Sequence, residues 1–202
     1  MKLQIDNLDG RGPQDYTAAI DSTRLPQVIR KLNQPSELRV SLVANTPSFV
    51  VPAIGARITL GKANGQDLFT GYLMQPPEFE YLGWGEQGPV YRYSLIVQSD
   101  EALLDEKRLP DRCPFVERSA GNALRQLTQD LLPGVFDTSN VQDLDELAGF
   151  ASDPQKTWSQ LAAEIAVQAR ASYSVLNGAL TLAPAGATVR ALNESDPNFD
   201  PQ

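Results

Sequence analysis

Tyr91-Arg92-Tyr93-Ser94-Leu95-Ile96-Val97 decides the fold. Tyr91, Tyr93, Leu95 and Val97 share one face of an extended chain, and Arg92 and Ser94 lie on the other. That two-residue period belongs to a half-buried strand. Upstream, Leu38, Val40 and Leu42 alternate with Arg39 and Ser41 in the same way, and Ile58 and Leu60 repeat the pattern. Gly61-Lys62-Ala63-Asn64-Gly65 then supplies a turn before Leu68-Phe69-Thr70-Gly71-Tyr72-Leu73, which predicts a hairpin because Asn-Gly tolerates positive φ. A further strand holds Phe79 and Tyr81 on one face, with Glu78 and Glu80 on the other facing solvent. Leu82-Gly83-Trp84-Gly85-Glu86-Gln87-Gly88-Pro89 reads as a projecting glycine-rich loop. Five or six strands with closely spaced turns predict an antiparallel barrel or sandwich. Between them, Tyr16 to Ile20 reads as a strand, and Leu25, Val28, Ile29 and Leu32 sit at the spacing of a short helix.

Beyond Asp105 the period changes. Ser119 caps a predicted helix whose apolar positions are Ala120, Ala123, Leu124, Leu127 and Leu131, and Pro133-Gly134 stops it. Asp137 to Glu146 reads as a solvated loop. A second helix is predicted from Asp153-Pro154, with a stripe of Trp158, Leu161, Ala162, Ile165, Ala166 and Ala169. Asn177-Gly178 then turns a hairpin that pairs Val175 with Leu180, Tyr173 with Leu182 and Ser174 with Thr181. The fold class expected is α+β: a mainly antiparallel β-barrel or sandwich over residues 1–105 and a small α/β domain (helix, helix, hairpin) over 106–186. Residues 187–202 are polar and read as a linker or arm, so the chain looks unfinished.

Composition narrows the chemistry. The 202 residues include no His and one Cys, so neither a Ser-His-Asp triad nor a Cys-His pair can form. An intrachain disulfide is likewise ruled out. No secretory signal or long apolar span occurs, which predicts a soluble protein made and kept in the cytoplasm, or exported by a route the sequence does not encode. The net charge is −8, and the excess is even: 9 basic against 12 acidic residues over 1–105 gives −3, and 8 against 13 over 106–202 gives −5. Specific duplex binding is not expected, because affinity for DNA comes largely from cations set against phosphates.

Asp137, Asp143, Asp145 and Glu146 lack the spacing and central glycine of a calcium loop and read as exposed charge. A carboxylate pair for glycan hydrolysis would have to come from this cluster or from Glu78 and Glu80. Cys113, between Arg112 and Pro114 and near Arg108, has no imidazole base and reads as incidental. Gly83, Gly85 and Gly88 fail the phosphate-loop spacing. No catalytic residue, cofactor or metal site is therefore predicted. Trp158, heading a helical stripe, reads as core. Tyr81, Trp84 and Tyr91 are the interface candidates. Trp84 reads equally as an interface anchor or as a residue folded back to close one end of the barrel.

In order and spacing, several runs resemble phage baseplate-hub proteins, the family of tail hubs, late-control tail proteins and the hub part of type VI secretion spikes. They are Pro35-Ser36-Glu37-Leu38-Arg39-Val40-Ser41-Leu42, Pro52 to Leu60, Leu68 to Leu73, and Tyr91 to Ser99 with Leu103-Leu104-Asp105-Glu106-Lys107. The capped helix, the helix holding Trp158 and the Tyr173-to-Leu182 hairpin are similar to the insertion that follows the first barrel in those hubs. The resemblance covers about residues 35–185. It implies a barrel of tail-tube type whose copies join edge to edge around a channel. It also implies a homotrimer of two-barrel chains, or a hexamer if each chain supplies one barrel, joining the tail tube to the tip, spike, fibre or tape-measure end. On this reading the protein sits in the virion tail, and DNA passes an acidic channel wall without being held. The competing readings are a carbohydrate- or receptor-binding tail module, and a carboxylate-based cell-wall glycan hydrolase.

Overall fold

The structure is a computed structural model and describes residues 1–109, 118–147, 149–151 and 153–187. The first hundred residues form one eight-stranded sheet: β1 (Lys2–Asp6), β2 (Gln14–Asp15), β3 (Gln27–Ile29), β4 (Glu37–Ala44), β5 (Arg57–Gly61), β6 (Asp67–Leu73), β7 (Glu78–Gly85) and β8 (Gly88–Ser99). Its order is β2-β1-β5-β6-β8-β4-β3, and every pairing is antiparallel. The long β8 organises it. β4 pairs along one edge from Glu37↔Gln98 to Ala44↔Tyr91. The other edge is shared, with β6 at Gly71↔Ser99 to Leu73↔Val97 and β7 from Glu78↔Ser94 to Gly85↔Gly88.

Where β6 meets β8 the backbones approach closely. A Cβ on Gly71 would stand 2.0 Å from the Gln98 carbonyl oxygen, so only glycine fits. One face of the sheet buries Leu3, Ile5, Leu38, Leu42, Ile58 and Leu95 in a single apolar cluster.

Among the described residues the expected closed barrel is not found. The sheet path ends at β2 and β3, which do not pair, and one isolated bridge, Ile20↔Leu42, spans the gap. Asp21 N donates to Ser41 O beside it, at 2.9 Å. The reason lies in the end strands. Pro13 immediately precedes β2 and Pro26 immediately precedes β3, each removing a ladder donor, and the strands are two and three residues long.

Three local expectations fail nearby. Residues 25–32 form no helix, because Val28 is drawn into pairing with Leu38, and this leaves Leu25 and Leu32 exposed. Thr17–Ala19 is a 3-10 turn, not a strand. The run 82–89 is not a loop: β7 continues to Gly85 and β8 begins at Gly88, leaving Glu86-Gln87 as the turn.

The rest of the described chain builds a second apolar cluster. It comprises α1 (Ala102–Asp105), α2 (Ala120–Leu131), β9 (Asp137–Val141), α3 (Trp158–Gln168), β10 (Ala171–Leu176) and β11 (Ala179–Pro184). Ser119 Oγ accepts from Asn122 N and caps α2, as its sequence predicts. α3 starts at Trp158 and not at Asp153-Pro154. Thr157 and Gln160 form a reciprocal capping box there, while Asp153 closes only a turn through Lys156 N.

The hairpin β10–β11 has the predicted register, Tyr173↔Leu182, Ser174↔Thr181 and Val175↔Leu180. Its apolar face packs with Trp158, which is fully buried and donates through Nε1 to Thr128 Oγ1 at 3.1 Å. Asp137–Val141, read as loop, is instead a strand parallel to β11. A third strand satisfies the outer edge of a hairpin that would otherwise leave its backbone groups open. Cys113 and the segment 188–202 lie outside the described residues.

The two clusters meet through a polar seam. Asn33 donates through Nδ2 to Ala171 O at 3.3 Å, and Tyr173 N donates to Asn33 Oδ1 at 3.0 Å. Asp100 Oδ2 accepts from Thr70 Oγ1 at 2.6 Å and from Gly178 N at 2.8 Å, and Thr70 Oγ1 accepts from Asn177 N at 2.6 Å. Asp105 Oδ1 accepts from Ser159 N at 2.7 Å, which places a carboxylate at the start of α3 where the helix dipole favours it.

Candidate functional site

The β7–β8 hairpin is the part of the sheet that the core does not explain. From Glu78 to Leu82 both faces of β7 are exposed. Residues paired across an antiparallel ladder share a face, and faces alternate along each strand. Tyr81 opposite Tyr91 and Phe79 opposite Tyr93 therefore occupy one face, and Glu80 opposite Arg92 the other.

Simple alternation would put Trp84 on the glutamate face. A register shift between Tyr81 and Gly83, with Gly83 at φ +130°, adds one residue and resets the count. Trp84 then pairs with Pro89 and joins the aromatic face. The structure thus brings Tyr81, Trp84 and Tyr91 onto one surface. Trp84 is 78% exposed and does not fold back, and Phe79 is 71% exposed.

This surface is continuous with the interior. Ring centroids run Tyr81–Tyr91 at 5.5 Å, Tyr91–Tyr93 at 6.4 Å, Tyr93–Phe49 at 5.6 Å (stacked) and Phe49–Tyr16 at 5.7 Å (edge-on). Tyr16 is buried and donates its hydroxyl to Val50 O at 2.8 Å. A rigid aromatic ladder of this kind presents large apolar area at little cost in side-chain entropy. A cleft of about 320 Å³ separates the end of β4 and the loop 45–51 from Gln87, Pro89, Tyr91 and Tyr93. Sequence reading missed Phe49 and Tyr93 as the supports of this face. Phe49 stands in no alternating run, so only the tertiary contact identifies it.

The opposite face holds the hairpin by charge. Arg92 donates through Nε to Asp21 Oδ2 at 2.6 Å and through Nη1 to Glu80 Oε2 at 2.9 Å. Asp21 is buried, and its Oδ1 accepts from Thr23 N and Thr23 Oγ1. Those Thr23 hydrogen bonds first, and Arg92 after them, lower the Asp21 carboxyl to about 2. Glu78 and Glu80 are exposed, as expected.

The acidic cluster disperses into structural roles. Asp143 Oδ1 accepts from Ser119 Oγ at 3.0 Å and pairs with Arg125; the Ser119 bond is the larger cause of its lowered pKa. Asp137 Oδ1 accepts from Ser139 N at 2.8 Å at the start of β9. Among the described residues no three His, Cys, Asp or Glu side chains are grouped to hold a metal ion. No described helix is long and apolar enough to cross a membrane.

By sequence, no protein family and no curated protein matches the chain. By structure, it is similar to the 43 kDa tail protein of prophage MuSo2 from Shewanella oneidensis. The TM-score is 0.61 and the identity 12%, over 90% of this chain and 53% of that one. It is also similar to prophage tail protein gp18 from Listeria monocytogenes EGD-e, with TM-score 0.61 and 10% identity over 91% and 51%. The tail protein of Neisseria meningitidis MC58 follows at 0.56 and 12%, over 90% and 49%. The chain has the fold of phage tail proteins. It spans about half the length of those structures. The α+β architecture expected from the hub resemblance agrees with that fold, although the sheet is open.

Proposed function

We propose that the protein is a non-catalytic structural component of a phage or phage-like tail, a hub whose copies assemble into a ring joining the tail tube to the tip, spike or fibre apparatus. The observation that carries this reading is the β7–β8 hairpin, whose strand β7 is exposed on both faces from Glu78 to Leu82 and carries a 78% exposed Trp84. A large exposed apolar surface marks an interaction site in a folded protein. The outer edge of β7 is unpaired among the described residues, as are those of β2 and β3. Such edges are templates for pairing with another chain. In a head-to-tail ring they are covered by neighbouring copies.

On this reading Tyr81, Trp84 and Tyr91 are interface residues. The sheet of residues 1–105 is the tube-facing domain, and 106–186 is an appended α/β domain. The ring holds three copies, or six if each contributes one sheet. The tail-protein fold of the three solved structures agrees with a place in the virion tail. The acidic net charge suits a channel wall that DNA passes without sticking.

Electron microscopy of tail particles carrying an affinity-labelled copy tests the proposal. A ring of label at the distal end of the tube is expected, and Trp84→Ala is expected to abolish incorporation. Particles that assemble fully with Trp84→Ala but no longer attach to cells would make this hairpin a receptor-binding module. Absence of the protein from particles would end the hub reading.

A further inference from the structure

A cavity of about 460 Å³ lies on the seam between the two apolar clusters, lined from the sheet side by Thr70, Ser99 and Glu101 and from β10 by Tyr173. Glu101 is 2% exposed, and its Oε2 has no hydrogen-bond partner. An unpaired carboxyl oxygen away from water is costly when charged and far less so when protonated.

We propose that this seam is an acid-closed joint, in which a neutral Glu101 lets β10–β11 dock against the sheet and an ionised Glu101 loosens it. Glu101 follows the end of β8 by two residues and is the N-cap position of α1, whose Leu104 belongs to the helical cluster, so its charge sits where the two clusters must meet. The charged and titratable groups around it favour the neutral form. Asp100 and Asp105 are close enough to repel a second negative charge. Across the cavity, Tyr173 supplies a phenol already engaged with Ser159 O. Arg30 and Lys31 line the cavity as the opposing cations, but both are exposed. Burial, the largest influence, pushes the Glu101 carboxyl up to about 7, against hydrogen bonding from its own backbone and from Ser99.

The sign follows from linkage. A raised carboxyl contributes full stability below its ordinary value of 4.5, and that contribution is lost as pH rises through about 7. The joint therefore weakens from mildly acid to mildly alkaline solution. This inference is independent of whether copies assemble.

Three amides report the joint directly: Tyr173 N on Asn33, Asn177 N on Thr70 and Gly178 N on Asp100. Hydrogen exchange on the full chain, corrected for intrinsic rate, is expected to show their opening increase at least about tenfold between about pH 5.5 and about pH 8.5. Amides inside α2, such as Leu124, are expected not to change over that range. In Glu101→Gln the seam amides are expected to become pH-independent. Protection that is flat with pH in the wild type, or equally pH-dependent in Glu101→Gln, overturns the proposal. Should Glu101→Gln fail to fold, carbon-13 titration of the wild-type carboxyl decides. A midpoint near 7 supports the joint, and one near 4.5 overturns it.

Discussion

Two antiparallel hairpins of the molecule, β10–β11 and β7–β8, differ in almost everything except their hydrogen bonds. β10–β11 lays an apolar face on α3, and Leu180 and Leu182 are fully buried. β7–β8 leaves both faces of β7 in solvent and carries aromatics where a soluble hairpin carries polar residues. The two tryptophans repeat the contrast: Trp158 lies beneath the first hairpin at 0% exposure and Trp84 on the second at 78%. A buried face is held by folding alone. An apolar face that folding does not cover is left free to meet a partner.

The largest expected effect breaks the buried side of this comparison. Trp158→Ala removes the side chain that α2, α3 and β10 share and is expected to cost about 3–5 kcal/mol in urea unfolding. Next comes the sheet that carries the other hairpin. In Gly71→Ala the new Cβ would collide with the Gln98 backbone oxygen, so β6 must part from β8. A loss on the order of 2–3 kcal/mol is expected in the same assay. Thr157→Ala removes one arm of the capping box on α3 and is expected to cost about 1 kcal/mol.

Acid sharpens the exposed side. Because the folded chain holds the Asp21 carboxyl at about 2, the Arg92 anchor contributes fully above the ordinary value of 3.8 and is lost as pH falls towards 2. Tyrosine near-ultraviolet circular dichroism is expected to change over that window, and Asp21→Asn to remove the change. The smallest expected effect on folding is Trp84→Ala, within about 0.5 kcal/mol of wild type, since an exposed side chain has little packing to lose.

The same contrast explains what the sequence disclosed. Where one face is buried, residue type follows position, so Tyr173, Val175, Leu180 and Leu182 announced their own register, and Leu38, Val40 and Leu42 their strand. Where neither face is buried, pattern and structure separate. Gly83, Gly85 and Gly88 read as a loop because no core burial on that strand marks its alternation. The bulge that places Trp84 beside Tyr81 depends on backbone geometry at Gly83, which alternation does not encode. Leu25 and Leu32 mimicked a helix because their spacing says nothing about exposure, and pairing with β4 overrode it. The interface candidates were legible as residue types, yet the ladder through Tyr93 and Phe49 needed the fold. β9 was hidden because a short polar strand is stabilised by its parallel neighbour and not by its own side chains.

Sedimentation equilibrium of the wild-type chain beside Trp84→Ala tests the central claim most directly. The account predicts that the wild type sediments as a multiple of its 22.0 kDa mass, and that the variant reverts to a single copy with an unchanged circular dichroism spectrum. A wild type that stays a single copy at every concentration, with the hairpin aromatics exposed to quencher throughout, would contradict it.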